Sequence, residues 1–117
     1  MSTPENKKHC RTEAWEQARL AAYLDSKGYT WFHVPNGEHR HKSVASRLKL
    51  HGVKSGVPDN ILVGVPMIAI ELKREHGGYM SKSQKKWKDL LESNGWVFYC
   101  AKGSQAAIDW LEDRAKK

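Results

Sequence analysis

The sequence of 117 residues contains little cysteine and no long apolar run. Its two cysteines, Cys10 and Cys100, are too few for the disulfide framework of a small secreted domain. The longest apolar stretch, residues 60–72, is interrupted by glycine and proline and is shorter than the roughly 20 residues of a membrane-spanning helix. Residues 1–11 are polar and lack the apolar segment of a signal peptide. We therefore expect a cytoplasmic protein with no membrane partner.

Basic residues outnumber acidic residues in this sequence. The chain has 20 lysines and arginines against 13 aspartates and glutamates, which gives a formal net charge of +7. This balance favours a polyanionic partner such as nucleic acid, although many basic proteins bind none. The length is that of one domain, so we expect a flexible polar tail over residues 1–11 and a single domain over residues 12–117.

The apolar pattern and the turn residues predict alternating helices and strands. Residues 43–50 allow a short helix or a loop. The whole order is helix, strand, short helix or loop, strand, strand, helix, strand, helix, which predicts an α/β (α+β) fold with a mixed sheet flanked by helices. The other predicted elements are helices over 12–27 and 81–95 and one that Ser104 caps, with strands over 30–34, 60–65, 67–73 and 96–101, the second and third forming a hairpin.

A carboxylate and an amine share one face of the second hairpin strand. Because alternate residues of a strand point to the same side, Glu71 and Lys73 lie opposite the apolar face of Ile70 and Leu72. That apolar face is the predicted core face. The strand therefore ends in a charged pair on its other side.

Asp59 is predicted to face Glu71 across the hairpin, because both residues lie six positions from Val65. Side chains in such a pair have Cβ atoms about 4.5–5.5 Å apart, where two carboxylates repel each other unless a cation binds them. We therefore predict that Mg²⁺ or Mn²⁺ binds Asp59, Glu71 and the backbone carbonyl of Leu72. Lys73 would hold the attacking water or stabilise charge in the transition state. The alternative is a plain ion pair between Glu71 and Lys73.

Two acids near the start of the first helix are candidates for the same site. At 100° per residue, Glu13 lies on the stripe that Leu20 and Leu24 define, and Glu16 lies about 60° from it. A core-facing carboxylate is costly unless it is paired or binds a metal, which favours Glu13 and keeps Glu16 as the alternative. Both acids could instead favour the helix N-terminus electrostatically.

Gln84 allows two interpretations. It follows Ser81 by three residues, which is the spacing of a capping box that closes a helix end. It could also reach the site and hydrogen-bond a water molecule or a phosphate.

Basic and polar residues near these acids in the sequence are candidate DNA contacts through the phosphate backbone. The alternative is a solvated basic loop. The histidines and cysteines match no paired zinc pattern. The candidate DNA-binding residues are His33, Asn36, Arg40, Lys42, Arg47, Lys49 and Lys54.

Two short motifs resemble a nuclease signature. Gly56-Val57-Pro58-Asp59, followed by Ile70-Glu71-Leu72-Lys73, resembles the PD-(D/E)XK signature in its VRR-NUC (virus-type replication-repair nuclease) form. The segments 33–37 and 52–56 resemble the same family, as does the helix start with Ser81, Gln84 and Trp87. The resemblance covers roughly residues 12–112.

The resemblance implies a PD-(D/E)XK restriction-endonuclease-like core and a metal-dependent endodeoxyribonuclease that hydrolyses DNA phosphodiester bonds. Stand-alone members resemble Holliday junction resolvases, so branched or junction DNA, a homodimer and a phage or bacterial origin are also implied. The alternative is a non-catalytic basic DNA-binding module on the same fold. The implied site residues are the acids Asp59 and Glu71, the catalytic Lys73, a first-helix acid at Glu13 or Glu16, and Gln84 as a nearby polar residue.

Overall fold

The computed structural model describes residues 10–35 and 42–116, and these ranges contain four helices and four strands. The predicted order of elements is confirmed, and the ambiguous segment after residue 42 is a helix. The predicted polar tail lies outside the described residues, apart from its last two. The helices are α1 (Glu13–Ser26), α2 (Lys42–Leu50), α3 (Lys82–Ser93) and α4 (Ser104–Ala115), and the strands are β1 (Trp31–His33), β2 (Asn60–Leu62), β3 (Ile68–Lys73) and β4 (Val97–Lys102).

The strands form one mixed sheet, as predicted, and their order in it is β1-β2-β3-β4. β2 runs antiparallel to both β1 and β3, and β4 pairs with β3 in parallel. In the β2–β3 hairpin, Asn60 lies opposite Ile70 and Leu62 lies opposite Ile68. The same register, continued by one residue, brings Asp59 opposite Glu71, which agrees with the geometry expected from the turn at Val65.

The core lies between the sheet and the helices α1 and α4. Ile70 and Leu72 of β3 are fully buried there against Leu20 and Leu24 of α1 and Leu111 of α4. The predicted core face of β3 is therefore confirmed, and each of these leucines contributes about 1.5–3 kcal/mol by its burial. No helix in the described ranges is both long and apolar enough to cross a bilayer.

The carboxylate that α1 directs into the core is Glu16. We expected Glu13 on the stripe of Leu20 and Leu24, and this was wrong: Glu16 is 2% exposed, whereas Glu13 is exposed. The reason is that α4 packs against α1, so the buried face extends to the residue one turn before Leu20. Glu16 remains stable in the core because its Oε1 accepts hydrogen bonds from Ser104 N at 2.7 Å and Ser104 Oγ at 2.6 Å.

Helix α4 also begins differently from the prediction. Ser104 is its first residue and not its N-cap, which is Gly103 with φ of 91° and no side-chain capping bond. The Glu16 carboxylate supplies the missing acceptor from a neighbouring helix. A negative charge there is also favourable toward the positive end of the helix dipole.

Replacing Glu16 by alanine should destabilise the protein by about 1–3 kcal/mol, because it leaves the Ser104 N–H and hydroxyl buried without an acceptor. The measurement is urea unfolding followed by circular dichroism. Glu13→Ala is the matched control on the preceding turn, and its stability should change by less than about 0.5 kcal/mol. Equal losses in the two variants would contradict the assigned capping role.

Candidate active site

A glycine-led loop brings Asp59 to the start of β2. Gly56 has φ of +85°, and a Cβ on it would lie 2.6 Å from the carbonyl carbon of Ser83 on α3. Only glycine allows both this backbone conformation and this close approach. The Gly56–Asp59 segment is thereby packed directly on the start of α3, which fixes the position from which the carboxylate projects.

Asp59 is held by both neighbouring strands. Its backbone carbonyl accepts a hydrogen bond from Val34 N at 2.8 Å, just beyond β1. Its side-chain Oδ1 accepts from Leu72 N at 3.0 Å and from Asn60 Nδ2 at 3.1 Å. Both side-chain bonds use the same oxygen, so within the described chain the second carboxylate oxygen is left for another ligand.

The Leu72 carbonyl lacks the donor that a continued ladder would give it. Because Leu72 N–H points toward Asp59, the carbonyl of the same residue lies on the same strand edge. The β2–β3 register would bring residue 58 opposite Leu72, and Pro58 has no N–H to donate. The proline before Asp59 therefore removes the ladder donor that would otherwise pair with this backbone oxygen.

Glu71, Lys73 and Gln84 form one hydrogen-bonded group at the end of β3. Glu71 is 4% exposed, and its Oε2 accepts from Gln84 Nε2 at 2.9 Å and lies 3.3 Å from Lys73 Nζ. Lys73 Nζ also donates to Gln84 Oε1 at 3.1 Å. As with Asp59, only one carboxylate oxygen of Glu71 is used by these donors.

Gln84 closes the start of α3, as one of its two interpretations predicted, and its side chain also reaches the site. A hydrogen bond from it to a water molecule or a phosphate stays a prediction. Its Oε1 accepts from Ser81 N at 2.8 Å, and Ser81 Oγ accepts from Gln84 N at 3.2 Å, which completes a capping box at the start of α3. The same side chain contacts Glu71 and Lys73. The helix cap and the site are thus built from one amide.

Burial and nearby negative charge raise the pKa values of both carboxyl groups. Burial raises the pKa of Asp59 to about 6, against the lowering effects of the Leu72 N–H and of His33. Burial and the charge of Asp59 raise the pKa of Glu71 to about 7, and Lys73 offsets part of this effect. The charge of Glu13 raises both pKa values as well.

The two first-helix acids therefore have different surroundings. Glu13 lines a cleft of about 590 Å³ between α1 and β1 together with Gln17, His33 and Asp59. Glu16 instead points toward α4, where its bonds to the start of that helix occupy it. Glu13 is thus the acid of α1 that the fold brings to Asp59. It is exposed there, and not buried as the stripe of Leu20 and Leu24 led us to expect.

The predicted DNA-binding residues are spread along one stretch of chain. His33 ends β1 beside Asp59, and Lys42, Arg47 and Lys49 are exposed on α2. Lys54 is exposed on the loop before Asp59. The two remaining candidates, Asn36 and Arg40, lie outside the described residues.

A buried polar pair that we did not predict from the sequence lies beneath the site. Asn60 is fully buried, and its side chain exchanges hydrogen bonds with Gln17 at 2.8 and 3.0 Å while also donating to Asp59 Oδ1. The available signal was the alternation of β2: Asn60 shares the core-facing side with Leu62, where an unpaired amide would be costly.

The donor set fits a hard divalent cation. Asp59 and Glu71 each keep a second carboxylate oxygen, and the Leu72 carbonyl lacks its ladder donor. Mg²⁺ is usually bound by one or two carboxylates with further oxygens and water, so two acids suffice. In residues 10–35 and 42–116, no three histidine, cysteine, aspartate or glutamate side chains converge as a metal cluster.

Comparison with known proteins agrees with this architecture. The chain is similar to a solved structure described as a "VRR_NUC domain protein", with a TM-score of 0.74 and 24% sequence identity over 88% of this chain and 87% of that one. This similarity shows that both share the mixed sheet with flanking helices. A search of curated proteins gave no match.

The fold is thus of a nuclease type. A sequence model of the VRR-NUC domain matches residues 11–105, which is most of the chain, and the protein belongs to the VRR-NUC family. Domains of this family are generally nucleases, which implies a DNA substrate. The resemblance seen in the two sequence motifs is confirmed.

Glu71→Gln should stabilise the metal-free protein at alkaline pH. The pKa of Glu71 in the folded protein is raised above its ordinary value. The contribution of this group to the free energy of unfolding is therefore fully present below about pH 4.5 and is lost as the pH rises through about 7. The neutral glutamine avoids this loss, and each pKa unit corresponds to ~1.4 kcal/mol. In thermal unfolding with EDTA, the advantage of the variant should grow between pH 5 and pH 8 by on the order of 1–3 kcal/mol.

The control for this experiment is Glu75→Gln, which changes an exposed carboxylate just beyond β3. It should follow the wild-type pH dependence. A Glu71→Gln variant that is less stable than wild type by the same amount at every pH would contradict the electrostatic explanation.

The two roles of Gln84 can be separated with Ser81. Ser81→Ala and Gln84→Ala should each cost about 1 kcal/mol through the capping box. Only Gln84→Ala also releases Glu71 and Lys73, so any DNA cleavage should fall about tenfold or more below that of Ser81→Ala. Equal cleavage by the two variants, measured well below their melting temperatures, would mean that Gln84 is only a cap.

Proposed function

We propose that the protein is a divalent-metal-dependent endodeoxyribonuclease that hydrolyses DNA phosphodiester bonds at the site of Asp59, Glu71 and Lys73. The observation that carries the proposal is the arrangement of the two acids. Each is fixed through one oxygen by protein donors, and each keeps its other oxygen at the same end of the β2–β3 ladder. Facing carboxylates with this geometry are costly for a purely structural protein and useful for binding a cation.

Asp59, Glu71 and the Leu72 carbonyl would hold Mg²⁺ or Mn²⁺. When bound, the cation supplies positive charge next to the scissile phosphate and makes a water molecule more acidic. Glu13, at the mouth of the same cleft, would contribute a further oxygen for a water molecule of the site. Glu16 has no part in the proposal because it caps α4.

Lys73 supplies the positive charge that belongs to the chain itself. Its side chain is only 12% exposed, and its ammonium is held by Glu71 and Gln84 at 3.3 and 3.1 Å. A preoriented cation of this kind stabilises the negative charge that develops on the phosphate as water attacks phosphorus and the ester oxygen departs. Gln84 positions Lys73 for that role, since one amide fixes both members of the ion pair.

The preferred DNA structure follows from the family resemblance and the charge of the chain. We propose branched or junction DNA as the substrate and a homodimer as the active form, in which two sites cut two strands. The formal charge of +7 and the exposed cations of α2 favour contacts to phosphates on an extended DNA surface. A cytoplasmic location in a bacterial or phage-infected cell is part of the same proposal.

The second candidate function is a non-catalytic DNA-binding module. The observation that favours it is the basic surface, which would bind phosphates without any metal. The hydrogen-bonded arrangement of Glu71, Lys73 and Gln84 argues against it, because simple binding does not require these buried charges.

Asp59→Asn, Glu71→Gln and Lys73→Ala should each lower cleavage about a hundredfold or more, because each removes a ligand or a charge used only in catalysis. The measurement is cleavage of labelled four-way junction, duplex, flap and single-stranded DNA with Mg²⁺, Mn²⁺ or EDTA. Asp113→Asn and Lys116→Ala, on exposed positions at the end of α4, are the matched controls and should cleave as wild type does.

Retained cleavage in Asp59→Asn would reject the proposed site. Salt-sensitive DNA binding by wild type without cleavage in any metal would support the non-catalytic module. Paired cuts confined to the junction, together with a dimer in analytical ultracentrifugation, would establish resolvase activity. Cleavage of the other DNAs would support the assignment as a nuclease but would show that its substrate is not a junction.

A further inference from the structure

A groove of about 620 Å³ lies between α2 and α3 and borders the candidate active site. Its apolar lining includes Leu48 of α2, Val53, and Trp87 and Leu90 of α3. Val53 is 41% exposed and Leu90 is 42% exposed, and α3, which is described throughout, buries none of its residues. The apolar stripe of α3 is therefore only partly covered by the rest of the described chain.

The charges around this groove indicate that its binding partner is a polyanion. Lys49, Lys54 and Lys86 line it and are exposed, and none of them forms an ion pair within the part of the chain that the structure describes. No acidic residue is among the described residues that line the groove. A second copy placed on it through the same surface would bring these lysines together, whereas a polyanion would neutralise them.

We propose that the α2–α3 groove binds unpaired deoxynucleotides of the DNA substrate. A groove with an aromatic side chain for base stacking and lysines for the backbone is the arrangement by which proteins bind single strands. Trp87 supplies the aromatic ring, and the three lysines supply the contacts to phosphate. Fully paired DNA keeps its bases inside the helix and gains only the phosphate contacts.

The path from the site to the groove is short. Gln84 contacts Glu71 and Lys73, and the preceding residue, Ser83, already lines the groove. Gly56 is packed on Ser83, so the loop from Lys54 to Asp59 borders the groove at one end and the site at the other. A strand that leaves the cleavage site across the start of α3 therefore enters the groove.

This inference rests on the proposed function, because it takes the substrate to be DNA. It adds a substrate class: DNA with an unpaired strand next to the scissile bond, such as a flap or an opened junction arm. The lysines of the groove include two predicted phosphate contacts, and Trp87 and Lys86 extend that surface onto α3.

The experiment compares the binding of two labelled DNAs in EDTA, a blunt duplex and the same duplex with a short single-stranded arm. Wild type should prefer the armed DNA, and Trp87→Leu should lower that preference about tenfold, because the ring on which an unpaired base stacks is lost. Trp87→Phe keeps an aromatic ring and should retain most of the preference. Thermal unfolding of both variants checks that α3 remains folded.

Lys86→Ala and Lys88→Ala form a matched pair on the same helix. Lys86 lines the groove, whereas Lys88 bonds to Glu92 at 2.8 Å. Lys86→Ala should weaken binding of the armed DNA more than Lys88→Ala does. Binding by Lys86→Ala should also depend less on salt concentration than binding by wild type, because one phosphate contact is removed. Equal effects of the two substitutions would overturn the assignment of the groove.

The remaining outcomes also decide the inference. If wild type binds both DNAs equally, or if Trp87→Leu weakens both equally, the groove does not bind unpaired nucleotides. If Trp87→Leu instead dissolves a dimer and leaves the armed-DNA preference intact, the groove is an interface between copies. Binding in EDTA is independent of cleavage. A wild type that cuts DNA but shows no preference for the armed DNA therefore rejects this inference alone, and a wild type with the preference but without cleavage rejects only the proposed function.

Discussion

The register of β2 against β3 is the constraint on which the site depends. With Asn60 opposite Ile70, the next pair is Asp59 and Glu71, and both carboxylates reach the same end of the ladder. A slip of one residue would turn each side chain to the other face of the sheet and would bury the acids among leucines. At the next position of the ladder, Pro58 has no N–H to donate to Leu72. There the Leu72 N–H donates to the side-chain Oδ1 of Asp59.

That register has an electrostatic cost, which interactions in the rest of the fold offset. Burial raises the pKa of both Asp59 and Glu71, and the charge of Asp59 raises the pKa of Glu71 further. The buried leucines behind β3 hold the strand in place, and Lys73 and Gln84 offset part of the repulsion from the other side. A site kept at the expense of stability is common where function requires a cation to complete it.

Several side chains connect the site to more than one element. Gln84 closes the start of α3 and fixes the ion pair of β3, so the position of that helix and of the charges cannot vary separately. Glu16 joins α1 to α4, which orients α1 and carries Glu13 toward Asp59. Next to Gln84, α3 presents Trp87 and Lys86 to the α2–α3 groove. One helix thus borders both the proposed chemistry and the proposed strand-binding surface.

The sequence alone determined the order of the elements, the facing of Asp59 and Glu71, and the family. These features follow from short-range rules: alternation in a strand, the distance of two residues from one turn, and motifs of adjacent residues. Only the tertiary structure decided which acid of α1 is buried, because the 100° spacing locates a face and not the helix that packs on it. The same holds for the cap of α4, which Glu16 supplies across 88 residues of sequence, and for the Gln17–Asn60 pair. Contacts between residues so far apart depend on how the helices pack on the sheet, and no local pattern specifies that packing.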